Sequence, residues 1–158
     1  MIKDVIEPRQ TALIGFPITL AHKSVDQVVR QAVDFDDYDA LCLRLGWYKR
    51  RLALGPVARS VGRPGLHAET LPWLKERGVS LIAADASHDV WPSGYESLDI
   101  PIHQVGIVAM GLWLIDAANF EELVAQCEDL GRWDFMFTVA PLHFPTVTGS
   151  PVTPLATF

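Results

Sequence analysis

The apolar positions of this chain change period several times, and each change marks an element. After Ser24, the residues Val25, Val28, Val29, Ala32 and Val33 recur at helical spacing, and Ser24 with Gln27 forms a capping-box pattern. A helix is predicted over 24–33. Upstream, "TALIGFPITLA" reads as a strand that Pro17 confines to an edge. "ALCLRLGW", bounded by Asp39 and Gly46, reads as a strand, and "VSLIAADAS" as a short buried one. "LWLID" is a short strand and "WDFMFTVAPLHF" a long one.

Helical patterns lie between these runs. "ETLPWLKERG" is a short helix with Pro72 in its first turn, where a missing N–H costs no internal bond, and Gly78 ends it. Residues 102–110 suit a helix closed by Gly111. "NFEELVAQCEDLG" is a helix with Asn119 as its cap, acids in its first turn and Gly131 at its end. Loops are predicted over 55–65 and 87–101, and "TVTGSPVTPLATF" is a turn followed by a last strand or extended tail. The sheet should therefore contain 40–46, 79–85, 112–116 and 133–140. Helices should cover 24–33, 70–77 and 119–127. Such alternation predicts an α/β fold with a mostly parallel or mixed sheet.

Composition narrows the class. The 158 residues suit a single domain, 1–158, with 49% hydrophobic and 20% charged residues, which fits a globular chain. The net charge is −6 and the one basic cluster is "YKRR" at 48–51, so nothing draws a nucleic acid backbone. Cys42 and Cys127 each lie among apolar residues and read as buried free thiols. No charged-then-apolar leader opens the chain and no apolar run could span a bilayer, so no membrane is expected and the setting is cytoplasmic.

The visible chemistry is sparse. Neither a Walker pattern, nor G-x-G-x-x-G, nor G-x-S-x-G is present. One stretch stands out: "IPIHQVGIVAMGLWLIDAAN", where His103 and Asp116 enclose a run without another ionisable group. Imidazole with carboxylate suits Zn²⁺ or Mn²⁺. A catalytic zinc usually takes about three protein ligands and an open position, and this pair supplies only part of that. The other histidines are His22, His67, His88 and His143, none at tight ligand spacing; His22, His67 or His88 could act as a substitute ligand. His88 follows a buried strand, where α/β sheets place their sites, and is the best acid–base candidate.

From about residue 38 onward, five stretches carry a family resemblance: "ALCLRLGW", "RPGLHAETLPWLKERGVSLIAADA", "DIPIHQ", "GLWLIDAANFEEL" and "APLHFPTVTGSPVTPLA". Their order resembles the cyclase-type metal-dependent hydrolases, the family that includes kynurenine formamidase and isatin hydrolase. The resemblance implies a mixed-sheet α/β fold of swivelling β/β/α type with flanking helices. It implies hydrolysis of amide or lactam C–N bonds, as in an arylformamidase. It makes His103 and Asp116 metal ligands, with Asp116 standing where the family has Glu, and places Gly149 and Ser150 in the substrate loop.

The family's main metal motif, His-x-Gly-Thr-His-x-Asp, is not in this sequence. The expectation is therefore a C-terminal part of a cyclase, residues 38–158, lacking the family's N-terminal half, with 1–37 unassigned. Such a chain would be truncated, one part of a split enzyme, or a non-catalytic binding or assembly relative. It should hold Zn or Mn through His103 and Asp116 weakly or not at all when isolated. Its partners would be a small amide or lactam and either copies of itself or a complementary half-chain.

Overall fold

The computed structural model describes residues 10–15 and 40–158. One six-stranded sheet organises them, in the order β4-β3-β2-β1-β5-β6. The strands are β1 (Gln10–Gly15), β2 (Ala40–Arg44), β3 (Leu81–Ala84), β4 (Trp113–Ile115), β5 (Asp134–Thr138) and β6 (Leu155–Thr157). β1 to β4 are parallel, while β5 runs antiparallel to β1 and β6 antiparallel to β5. The helices are α1 (Trp47–Leu54), α2 (Thr70–Glu76) and α4 (Glu121–Leu130). Between β3 and β4, a π-helical stretch Ile102–Ile107 runs into a last α-turn Val108–Met110, and together these are α3.

Period-two alternation in β2 and β3 divides the interior. Leu41, Leu43, Ile82 and Ala84 face one side, where Leu71 and Leu74 of α2 and Ile102 of α3 pack on them. Cys42 and Ala83 face the other, against Phe120, Val124 and Cys127 of α4 and Phe135 of β5. Strands covered on both faces read as continuous apolar runs, as these do. Each such leucine contributes about 2 kcal/mol on burial. Burial also raises the pKa of the Cys42 thiol, and both cysteines are free and buried.

Helix ends follow their local chemistry. Pro72 sits in the first turn of α2, and Gly78, at φ +63°, closes it as its N–H reaches the Lys75 carbonyl at 3.1 Å. The Asn119 carboxamide accepts the Glu121 N–H at 3.1 Å at the start of α4, and Gly131 takes the left-handed conformation at its end.

Several expectations need correction. β1, described over Gln10–Gly15, is an interior strand between β2 and β5, not the edge that Pro17 implied, because it pairs on both sides. The long strand predicted over "WDFMFTVAPLHF" ends at Thr138, and a non-helical, non-strand segment with Pro141, Pro145, Pro151 and Pro154 follows before β6. Those prolines cannot donate to a ladder. α1 went unpredicted. Its start is held by Asp85, whose oxygens accept the Leu45 N–H at 2.6 Å and the Tyr48 N–H at 3.4 Å. That cap is remote in sequence, so no local pattern announces the helix. The predicted helix 24–33 lies outside the described residues. Among the described residues, no helix is long and apolar enough to cross a membrane.

Candidate metal centre

Four parallel strands end on the same side of the sheet, which is where open α/β sheets place their sites. β3 runs on into Asp85, Ala86, Ser87, His88 and Asp89, and β4 runs into Asp116. Two backbone bonds tie these extensions together beyond the ladder: Ala117 N–H to the Ala86 carbonyl at 3.1 Å, and Ala118 N–H to the Ala84 carbonyl at 2.9 Å.

A third segment presses on the loop. The Leu66 N–H donates to the His88 carbonyl at 2.6 Å, and the Val90 N–H to the Leu66 carbonyl at 3.2 Å. Gly65 lies so close that a Cβ there would stand 2.3 Å from the Asp89 carbonyl carbon and 2.4 Å from the Val90 nitrogen. Only glycine permits that approach.

The side chains converge on Asp116. One oxygen, Oδ1, lies 2.7 Å from His88 Nδ1 and accepts the His88 backbone N–H at 3.1 Å. The other, Oδ2, lies 2.9 Å from His103 Nε2. His103 Nδ1 bonds to Asp89 Oδ2, while Asp89 Oδ1 accepts the Ile102 N–H at 2.6 Å. Asp89 is thus a buried hinge between the start of α3 and the His103 ring. It fixes which imidazole nitrogen faces Asp116, as carboxylates behind metal-ligating histidines do. α3 presents His103 from its π-helical part, a geometry often found at functional sites.

Charge follows from these bonds. Hydrogen bonds to Asp116 and then Asp89 lift the His103 pKa to about 9 against the opposing effect of burial. Burial pushes Asp116 upward, but its bonds to His103 and His88 outweigh this and hold it well below the usual carboxylate range. Asp85 is raised by burial, with the Leu45 N–H opposing.

His88, His103 and Asp116 each offer one ligand atom, and these atoms lie within 4.8 Å of one another. A His/His/Asp set of this kind can hold a divalent metal such as Zn or Mn. The His88 side chain is fully buried, and its Nε2 has no hydrogen-bond partner among the described residues. A buried imidazole whose bonding the protein leaves incomplete fits a ligand position. The expectation of an incomplete metal set therefore needs correction. The third candidate ligand is His88, at the end of β3; it was one of three histidines offered as a substitute ligand, and spacing could not single it out because it lies 15 and 28 positions from its companions. The shorter Asp116, in place of Glu, still reaches both histidines.

The other candidates fall elsewhere. Gly149 and Ser150 line a cleft of about 790 Å³ that Asp116 also borders. The Ser150 hydroxyl oxygen accepts the Leu142 N–H at 3.0 Å, closing the turn. His143 lines the same cleft. The His67 ring lies 5.5 Å from Tyr95 and outside the ligand cluster. His22 lies outside the described residues. Asp85 and Asp89 were missed; Asp89 directly follows His88, and that adjacency was the available signal.

Fold and site together define an α/β protein with a candidate metal-binding triad at the ends of its parallel strands. The chain belongs to the cyclase family: the model described as "Putative cyclase" matches residues 9–88. Solved structures agree on the fold. A novel cyclase aligns at TM-score 0.77 and 23% identity over 94% of this chain and 53% of that one. An isatin hydrolase bound to the product analogue thioisatinate aligns at 0.71 and 16%, over 94% and 59%. A potential metal-dependent hydrolase with cyclase activity aligns at 0.60 and 12%, over 94% and 64%. This chain thus spans less than two thirds of the length of each. No curated protein matches it.

These matches correct the expected extent of the resemblance. It is not confined to a C-terminal part beginning near residue 38, because the family model maps to 9–88 and the fold match covers 94% of the chain. Nor does the fold lack the family's N-terminal half. β1 lies inside the sheet, paired on both sides, and falls within the matched 9–88, although the His-x-Gly-Thr-His-x-Asp string is absent from the sequence.

Proposed function

We propose that this protein is a metal-dependent hydrolase of the cyclase type acting on the C–N bond of a small amide or lactam, as a single domain over 1–158. The observation that carries this reading is the convergence of His88, His103 and Asp116 within 4.8 Å at the ends of parallel strands, between two clefts. A divalent metal held there would supply Lewis acidity to an amide carbonyl and acidify a water toward neutrality. Asp89 holds His103 in the tautomer that offers Nε2. Gly149 and Ser150 are proposed to line the substrate site. His88, expected from sequence as an acid–base group, is proposed as the third ligand, because its side chain exposes no surface to a substrate. Self-association is also proposed, supported by Trp113 and Val108, exposed by 62% and 84% beside edge strand β4.

The test is turnover. Zinc- or manganese-loaded protein should release formate from an N-formyl aniline or open a lactam ring, and His103→Ala should abolish it. A loaded, folded protein inactive on both substrate types would remove the reading.

A further inference from the structure

We infer that the cleft on the His103 side of the centre selects a substrate carrying a carboxylate, and that Arg63 is the residue that recognises it. This rests on the hydrolase reading above and adds the substrate's charge. The cleft measures about 750 Å³, and Arg63, Arg51, Trp47, Tyr48 and Asp85 line it together with His103.

Arg63 is unusual among these. Its backbone is locked by paired bonds to Trp91, at 3.1 and 3.0 Å, so its side chain starts from a fixed point. Its Nε is buried and has no hydrogen-bond partner among the described residues. Arginines elsewhere do pair with carboxylates: Arg44 with Glu121 and Arg132 with Asp134, none of them lining this cleft. A buried donor on a charged group is costly to leave unmet, and a guanidinium matches a carboxylate by its two-pronged geometry.

The acids in the cleft do not fill this need. Asp85 spends its oxygens on the N–H groups of Leu45 and Tyr48, and Asp99 is already engaged. Arg51, exposed on α1, adds a second positive charge to the same cleft. Trp47 and Tyr48 offer an apolar wall for the rest of a small molecule. A ligand whose carboxylate meets Arg63 while its amide lies toward His103 would satisfy both ends of the cleft.

The probes are N-benzoylglycine and its neutral isostere N-benzoylglycinamide, with inorganic phosphate as the competing anion. Calorimetry on the chelator-treated 158-residue chain reads binding without metal or turnover. Wild type should bind the acid at least about tenfold more tightly than the amide, the scale of one charge-assisted hydrogen bond. Arg63→Gln should shrink that preference below about twofold. Should Arg63→Gln fail to fold by circular dichroism, Arg63→Lys carries the test, and its preference must fall at least about threefold because the fork is lost. No preference in wild type, a preference unchanged in the variants, or phosphate binding more tightly than the acid would overturn the inference. A protein that shows the preference yet hydrolyses no amide would leave Arg63's role standing and remove the hydrolase reading alone.

Discussion

Gly65 and Gly149 stand in two regions that border the same cluster and are built in opposite ways. Around Gly65, backbone meets backbone: Leu66 is bonded to His88 and Val90, Arg63 to Trp91, and a Cβ would fall 2.3 Å from the Asp89 carbonyl carbon. Around Gly149 a Cβ would meet nothing within 4 Å, and the segment 139–154 is mostly exposed, with its turn closed by Ser150 and Leu142. The first region fixes the positions of His88 and Asp89. The second borders Asp116 without fixing it. Geometry for the ligands therefore comes from the strand ends and the Gly65 segment, whereas 139–154 supplies surface to a cleft. Each substitution below moves one region and not the other.

The largest effect should come from Gly65→Ala. No side-chain movement can relieve a clash with backbone, so unfolding free energy should fall by about 3 kcal/mol or more, read by urea denaturation. Zinc affinity should drop with it. A loss under about 1 kcal/mol would mean that the segment yields and does not set the site.

Asp89→Asn should come next. It preserves shape while weakening the charged bond to His103, and zinc affinity should fall about 10- to 100-fold while the fold persists. An unchanged affinity would separate Asp89 from the site.

Acidity gives a third, smaller effect. The His103 pKa is raised to about 9, so in metal-free protein its stabilising contribution is complete below its ordinary 6.5 and fades as pH rises through 9. Asp116 is depressed, so its contribution is present above its ordinary 3.8 and is lost as pH falls well below that. Metal must displace the His103 proton. Zinc affinity should therefore rise about tenfold per pH unit between 7 and 9, and a flat profile would contradict the assignment.

Gly149→Ala should do least. Stability should change by less than about 0.5 kcal/mol and zinc affinity not at all, with any effect confined to KM. A large loss of stability would show that the two regions are built alike.

The sequence made one of these regions far more legible than the other. Strands β2 and β3 announced themselves because both their faces are covered, β4 as a short apolar run, and α2 and α4 because Pro72, Asn119, Gly78 and Gly131 punctuate them. His103 and Asp116 were visible as the ends of one uncharged run. His88 was one of three interchangeable substitute ligands, and Asp89 behind His103 and Asp85 under α1 were not visible. Each acts on a partner 13 to 40 positions away, and only the parallel sheet brings those positions together. The absence of the family's usual metal string from the sequence implies a missing half, and the sheet does not bear this out. A strand's place in a sheet depends on pairing and not on that string, so β1 could sit in the interior without it.

The central claim is that three residues from separate strand and helix ends hold one divalent ion. Calorimetric titration of Zn²⁺ into chelator-treated protein at pH 8 tests it most directly, with His88→Ala, His103→Ala and Asp116→Ala alongside wild type. The account predicts one zinc per chain in wild type and at least about a 100-fold weaker affinity in each variant, every one still folded by circular dichroism. Wild-type affinity surviving in all three variants would place the metal elsewhere and contradict the account.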